Sequence, residues 1–126
     1  MPKSVPALAR APKPVAPYSI ATEANGLVFI SGQVAIDPDG GPTPEDVGDQ
    51  ATLVLDNIGR ILEDLGLGYG DVVKTTVFLA DIADYGAVNQ IYGGYFHQDP
   101  PARSAIQAAA LPMPQFKVEI EVIAAR

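Results

Sequence analysis

Hydrophobic positions along the chain recur with two different periods, and the changes of period mark the elements. Tyr18–Glu23 reads as a short strand. Asn25-Gly26 follows, a dipeptide suited to the left-handed backbone of a two-residue hairpin loop. Leu27-Val28-Phe29-Ile30-Ser31-Gly32-Gln33 is the returning strand, and DPDGGPTP over residues 37–44 is a loop by composition. From Val47 the spacing becomes helical. Val47, Ala51, Val54, Leu55, Ile58, Ile61, Leu62 and Leu65 form one apolar stripe. Thr43 is the expected N-cap, with Pro44 in the first helical position and Gly66 as the stop. Val72–Leu79 is rich in β-branched residues and predicts a third strand. A second helix, capped by Asp81, is expected from Ile82 to Phe96 with a weaker apolar set. Asp99-Pro100-Pro101 ends it and opens a strand over Ala102–Ala108. The last strand, Lys117–Ala124, alternates: Val118, Ile120, Val122 and Ala124 lie on one face, Lys117, Glu119, Glu121 and Ile123 on the other.

The order ββαβαββ predicts an α+β fold with one sheet and both helices on one face. The helices would cover the face of Ile120 and Val122. The opposite face mixes charged and apolar groups, so it meets water or another subunit. Ahead of the first strand, residues 1–16 read as a Pro-rich extended arm, with Pro2, Pro6, Pro12 and Pro14 in it and Pro17 at its end. The plain reading of that arm is a leader with no role of its own. Residues 17–126 then form a single domain.

Composition narrows the functions. The chain has 126 residues, 48% of them apolar, which suffices for one core but leaves much surface uncovered at this size. The net charge of −7 disfavours nucleic acid and anionic membranes as partners. With no cysteine, thiolate nucleophiles and disulfides are excluded; the absence accords with the cytoplasm. No apolar run reaches the ~20 residues of a membrane span. With one histidine, His97, a zinc site or a Ser-His-Asp triad is disfavoured, and His97 reads as a surface group at a helix end. The glycine-rich stretches lack nucleotide-binding spacing.

Arg103, in Pro-Pro-Ala-Arg-Ser at the start of a strand, is the most informative single residue. A guanidinium pairs with a carboxylate through two parallel hydrogen bonds and keeps its charge. The alternative is a surface arginine at a strand end. Glu119 and Glu121 share one strand face and repel unless one is paired or protonated, which suits either a general acid/base or a solvated face. Ser31-Gly32 permits close backbone approach to a ligand or forms a simple bulge. Tyr18 brings a phenol to a site or packs with its hydroxyl satisfied. Asn89 faces an interface or water.

Taken together, several segments resemble the RidA/YjgF family of small deaminases. They are Ala16-Pro17-Tyr18-Ser19, Leu27–Gln33, Asp71–Leu79, Ala87-Val88-Asn89, Pro101-Ala102-Arg103-Ser104 and Val118–Ala124, in the family's order and covering nearly everything from about residue 14 onward. The resemblance implies a chorismate-mutase-like fold and a homotrimer whose sheets form a central barrel, with ligand clefts between subunits. It implies hydrolysis of 2-aminoacrylate, 2-aminocrotonate or their imine tautomers to a 2-keto acid and ammonia, without metal or organic cofactor. In that reading Arg103 clamps the substrate carboxylate and Glu119 holds or deprotonates the attacking water. Tyr18 lines the cleft from the neighbouring chain, Ser31 and Gly32 shape its wall, and Asn89 lies near its mouth. The Ala105 backbone hydrogen-bonds to the substrate. Two positions depart from the family: Ala105 stands where many deaminating members have cysteine, and Ile20 adds an apolar group near the entrance. A carboxylate-binding trimer without catalysis, and an enzyme for a larger imine on the same scaffold, are the competing readings.

Overall fold

The computed structural model describes residues 2–11 and 14–126. Pro12 of the expected arm lies outside the described residues. Five strands form one sheet: β1 (Ala21–Ala24), β2 (Leu27–Gln33), β3 (Val72–Leu79), β4 (Ala102–Gln107) and β5 (Val118–Ala125). Two helices, α1 (Val47–Asp64) and α2 (Tyr85–Tyr95), complete the expected ββαβαββ order. The sheet order is β1-β2-β5-β3-β4. Only the β3–β4 pair is parallel, joined through α2, as a parallel pair requires a crossover.

Local chemistry explains most boundaries. Asn25 and Gly26 both have positive φ, 53° and 77°, so they close the β1–β2 hairpin as the dipeptide predicts. Gly66, at φ 75°, ends α1, and the following Leu67 N–H donates to the Leu62 carbonyl. The start of α1 differs from expectation. Its cap is Asp46, whose carboxylate accepts from the Asp49 N–H at 3.0 Å. The Thr43 hydroxyl is committed elsewhere, donating to the Ala35 carbonyl at 2.9 Å. The second helical segment begins with a 3-10 turn, Ile82–Asp84, because the Asp81 carboxylate takes the Ala83 N–H and tightens the first turn. β1 starts three residues later than its apolar pattern suggests, because the Ser19 carbonyl accepts from the Ser31 hydroxyl.

The core lies between the helices and one sheet face. Val54, Leu55, Ile58 and Leu62 of α1 and Val88 of α2 meet Val28, Ile30, Val77, Leu79, Val118, Ile120 and Val122, all buried. Gln50 is fully buried in this apolar layer and fully bonded. Its amide donates to the carbonyls of Pro44 and Gln115, and its oxygen accepts from the Lys117 N–H. It therefore ties the start of α1 to the start of β5. The described part of the arm lies against the sheet and α1. Ser4 bridges to Glu23 of β1, and the Arg10 guanidinium meets Asp64 at 2.8 Å. The opposite sheet face is uncovered, with Phe29 41% and Ile106 49% exposed. Among the described residues no helix is long and apolar enough to cross a membrane.

Candidate functional site

Arg103 is the second residue of β4 and pairs in register with Thr75 of β3. Thr75 is also the register partner of Val122, and both are buried under the helices, so Arg103 points to the helix-covered face. There α2 receives it. Nη1 donates to Asn89 Oδ1 at 2.7 Å and Nη2 to the Tyr85 hydroxyl at 3.0 Å. The guanidinium also lies 4.8 Å from the Tyr92 ring centre and 5.6 Å from that of Tyr85. Among the described residues no carboxylate pairs with it, whereas Arg10 and Arg126 are both in salt bridges. A cation that is held on two sides and left unneutralised is able to take an anion. Two of its five N–H donors are taken, which leaves three, one on Nε and one on each terminal nitrogen.

Ala105 follows on the same face, in register with Val77. The Ala108 N–H donates to the Leu79 carbonyl. Alternation along β4 then turns the Ala105 N–H outward, to the edge of the sheet.

Glu119 belongs to the other face. It pairs in register with Phe78, one step out of phase with the buried Val118 and Ile120. Its carboxyl is held above the usual carboxylate range by burial first and then by the neighbouring charge of Glu121. Gly32 lies directly against it: a Cβ built on Gly32 would collide with Glu119 Oε2 and lie 2.9 Å from its Cδ. The approach comes from a bulge. β2 advances from Ile30 to Gln33 while β5 steps only from Val122 to Ile120, so one extra residue is accommodated at Ser31-Gly32. The Ser31 hydroxyl donates to the Ser19 carbonyl at 2.6 Å and fixes the Tyr18-Ser19 segment beside the bulge. Tyr18 is half-exposed and lines, with Gly32, Ile20, Val34, Ile36 and Ile61, a mostly apolar cavity of about 230 Å³.

The structure thus gathers the sequence candidates into two groups. Arg103, Asn89 and the Ala105 backbone form one; Tyr18, Ser31, Gly32 and Glu119 form the other. Arg103 and Glu119 are two strands apart in the sheet order and on opposite faces, so one chain does not bring them together. Tyr85 and Tyr92 escaped sequence reasoning as site residues. Their spacing from Asn89, four and three residues on one helix, was the available signal, masked because both also fit the apolar stripe. His97 is exposed beyond the end of α2, and among the described residues no cluster could hold a metal ion.

Fold and site together define a small α+β domain with an arginine, unpaired with any carboxylate among the described residues, at a sheet edge. The chain belongs to the Endoribonuclease L-PSP family, the RidA/YjgF family, whose model matches residues 8–126. It is 47% identical over 116 residues to the 2-iminobutanoate/2-iminopropanoate deaminase of Mus musculus, covering 91% of this chain and 85% of that one. It is 49% identical over 123 residues to Reactive Intermediate Deaminase A, chloroplastic, of Arabidopsis thaliana. That match covers 97% of this chain and 65% of the plant protein, so the chain spans about two thirds of that relative's length. Among solved structures, Escherichia coli TdcF with bound serine superposes with a TM-score of 0.86 at 41% identity, covering 93% of this chain and 94% of that one.

Proposed function

We propose that the protein hydrolyses small 2-imino acids, such as 2-iminopropanoate and 2-iminobutanoate formed from 2-aminoacrylate and 2-aminocrotonate, to 2-keto acids and ammonia. The observation that carries this reading is the unneutralised Arg103, aligned by Asn89 and Tyr85. The relatives named as iminoacid deaminases support it.

Arg103 takes the substrate carboxylate on its two free terminal donors and fixes C2. The Glu119 carboxylate removes a proton from water as the oxygen bonds to C2 and the C=N pair moves to nitrogen. The raised proton affinity of Glu119 makes its carboxylate the better base for taking that proton from water. That proton passes to nitrogen and gives the neutral tetrahedral intermediate; Glu119 then carries the C2 hydroxyl proton to nitrogen as well, the C–N bond breaks, ammonia leaves and the C=O forms. The Ala105 N–H lends a further donor, and Tyr18 and Gly32 bound the cleft. The imine is electrophilic enough that the reading assigns no role to a cofactor.

Because Arg103 and Glu119 occupy opposite faces, we assign each site to two chains: Arg103, Asn89 and Ala105 from one, Tyr18, Ser31, Gly32 and Glu119 from its neighbour. A homotrimer with its uncovered sheet faces packed as a central barrel satisfies this. It also covers Phe29, Ile106 and Leu27, which are 41%, 49% and 37% exposed. The net charge of −7 favours a small-molecule substrate over RNA.

The test is 2-keto-acid release on adding the protein to a serine or threonine dehydratase reaction. Wild type accelerates release; Arg103→Ala and Glu119→Gln do not. Co-refolding the two inactive variants in equal amounts restores activity to about a quarter of wild type, the share of sites that receive both intact groups in a randomly mixed ring. Absence of acceleration by wild type overturns the activity, and absence of recovery overturns the shared site.

A further inference from the structure

Tyr85, Asn89 and Tyr92 stand at positions i, i+4 and i+7 of α2 and all meet Arg103. They differ in what remains unused. The Tyr92 hydroxyl is buried and bonded to Thr75 Oγ1 at 2.7 Å. The Asn89 oxygen is taken by Nη1. The Tyr85 hydroxyl accepts from Nη2 at 3.0 Å, so its own proton points elsewhere, and among the described residues nothing accepts it. Tyr85 is 41% exposed and so stands at the open side of the receptor.

We propose that Tyr85 is a specificity-determining residue that donates a hydrogen bond to the atom on C2 of the ligand, next to the carboxylate held by Arg103. The inference rests on the reading of Arg103 as the carboxylate clamp. The two hydrogens of a guanidinium nitrogen diverge, so a ligand oxygen on the second Nη2 hydrogen lies about 5 Å from the Tyr85 oxygen. That is too far for the phenol to bond the carboxylate itself. An imine nitrogen or a keto oxygen on C2 falls into the gap between them. The phenol therefore reads whether C2 carries an acceptor. The ligand class is a 2-imino or 2-keto acid, and a plain carboxylate lacks the second contact. A hydrogen bond to the imine nitrogen also draws electrons from C2 and favours attack by water.

Tyr85→Phe tests this, since it keeps the ring against Arg103 and removes only the hydroxyl. Calorimetric titration of the assembled protein with 2-oxobutanoate and with butanoate separates the two contacts. The expected result is that the variant binds 2-oxobutanoate about tenfold more weakly and butanoate as wild type does, with kcat on 2-iminobutanoate lowered as well. Equal weakening of both ligands overturns the proposal, because the hydroxyl then acts only by orienting Arg103. No change for either overturns it too. Arg103→Ala, run beside it, must lose both ligands. If it retains them, the carboxylate clamp fails, and that failure is distinct from a negative result with Tyr85→Phe alone.

Discussion

Replacing Gly32 by alanine is the sharpest perturbation of the half of the site to which we assign water activation. The added methyl would overlap Glu119 Oε2 and lie 2.9 Å from Cδ and 3.1 Å from Cγ, all inside normal carbon contact distance. These atoms are the end of a flexible side chain, so the carboxylate moves and the backbone need not. Gly32 is not among the residues with left-handed φ, so alanine adds no backbone strain there. The expected stability change is therefore within about 1 kcal/mol, partly offset by the smaller unfolded-state entropy of alanine. The carboxylate must shift by roughly 1 Å, and a displacement of that size at a reacting group costs about 10²-fold in rate. Keto-acid release and a thermal melt measure the two quantities. Gly32→Ala is expected to melt within a few degrees of wild type and to lose about 10²-fold in kcat. Binding of 2-oxobutanoate, anchored by Arg103, should be unchanged, since the effect passes through the Glu119 carboxylate. Full activity in Gly32→Ala would refute the reasoning. So would a parallel loss of 2-oxobutanoate binding, which would trace the effect to a distorted bulge.

Four more outcomes follow from the structure. The acid limb of kcat/KM against pH should lie above the ordinary carboxylate range, because burial and the Glu121 charge raise Glu119; Glu121→Gln should move the limb down part of the way, and an unmoved limb removes Glu119 from the titration. The native state holds the Glu119 proton more tightly than the unfolded chain, so this group's contribution to stability should fall as pH rises from the ordinary carboxylate value through the raised one; urea unfolding of Glu119→Gln across that window should show a shallower fall. Gln50→Leu takes from the fully buried Gln50 position the partner of the Pro44 and Gln115 carbonyls and of the Lys117 N–H, so it should cost about 3 kcal/mol and lower Tm by about 10 °C, and a Tm within 2 °C would show that water or a shifted backbone replaces the amide. Ile106→Asp on the uncovered face should split the assembly by light scattering and abolish turnover together, whereas turnover by a monomer would end the shared-site reading.

The parts of the fold legible in the sequence were those written in local chemistry. Asn25-Gly26, Gly66 and the strict alternation of Val118 to Ala124 each determine their own backbone, and each behaves as its pattern predicts. Thr43 and Asp46 show where such reading stops. Both are good caps, and the choice fell to Asp46 because the Ala35 carbonyl, far from either in a sequence window, claims the Thr43 hydroxyl. Gln50 is an ordinary polar residue in the sequence, and only the meeting of α1 with the start of β5 makes it a buried lock. The candidate site divides in the same way. Arg103 and Glu119 stood out by type and by motif. That they face opposite ways depends on register: Arg103 pairs with Thr75 and Glu119 with Phe78, three positions apart on β3.

That odd separation has a consequence for how the site works. A strand reverses face at every residue, so groups three positions apart along β3 project on opposite sides whatever their side chains. Had the arginine and the glutamate shared a face, the like-sign field of Glu121 would be offset by the nearby cation, and Glu119 would be drawn down to an ordinary carboxylate. Placed on the far face, with Glu121 beside it and no cation bonded to it among the described residues, Glu119 has a raised proton affinity within its own chain. In the two-chain reading, assembly then does two things at once. It brings a fixed cation to the substrate carboxylate and a proton-seeking carboxylate to the water, and it buries the apolar positions Phe29 and Ile106 that a domain of this size leaves uncovered. Covering the sheet and completing the site are, on this reading, one event, so a variant that weakens the first without touching Arg103 or Glu119 must also lose the second.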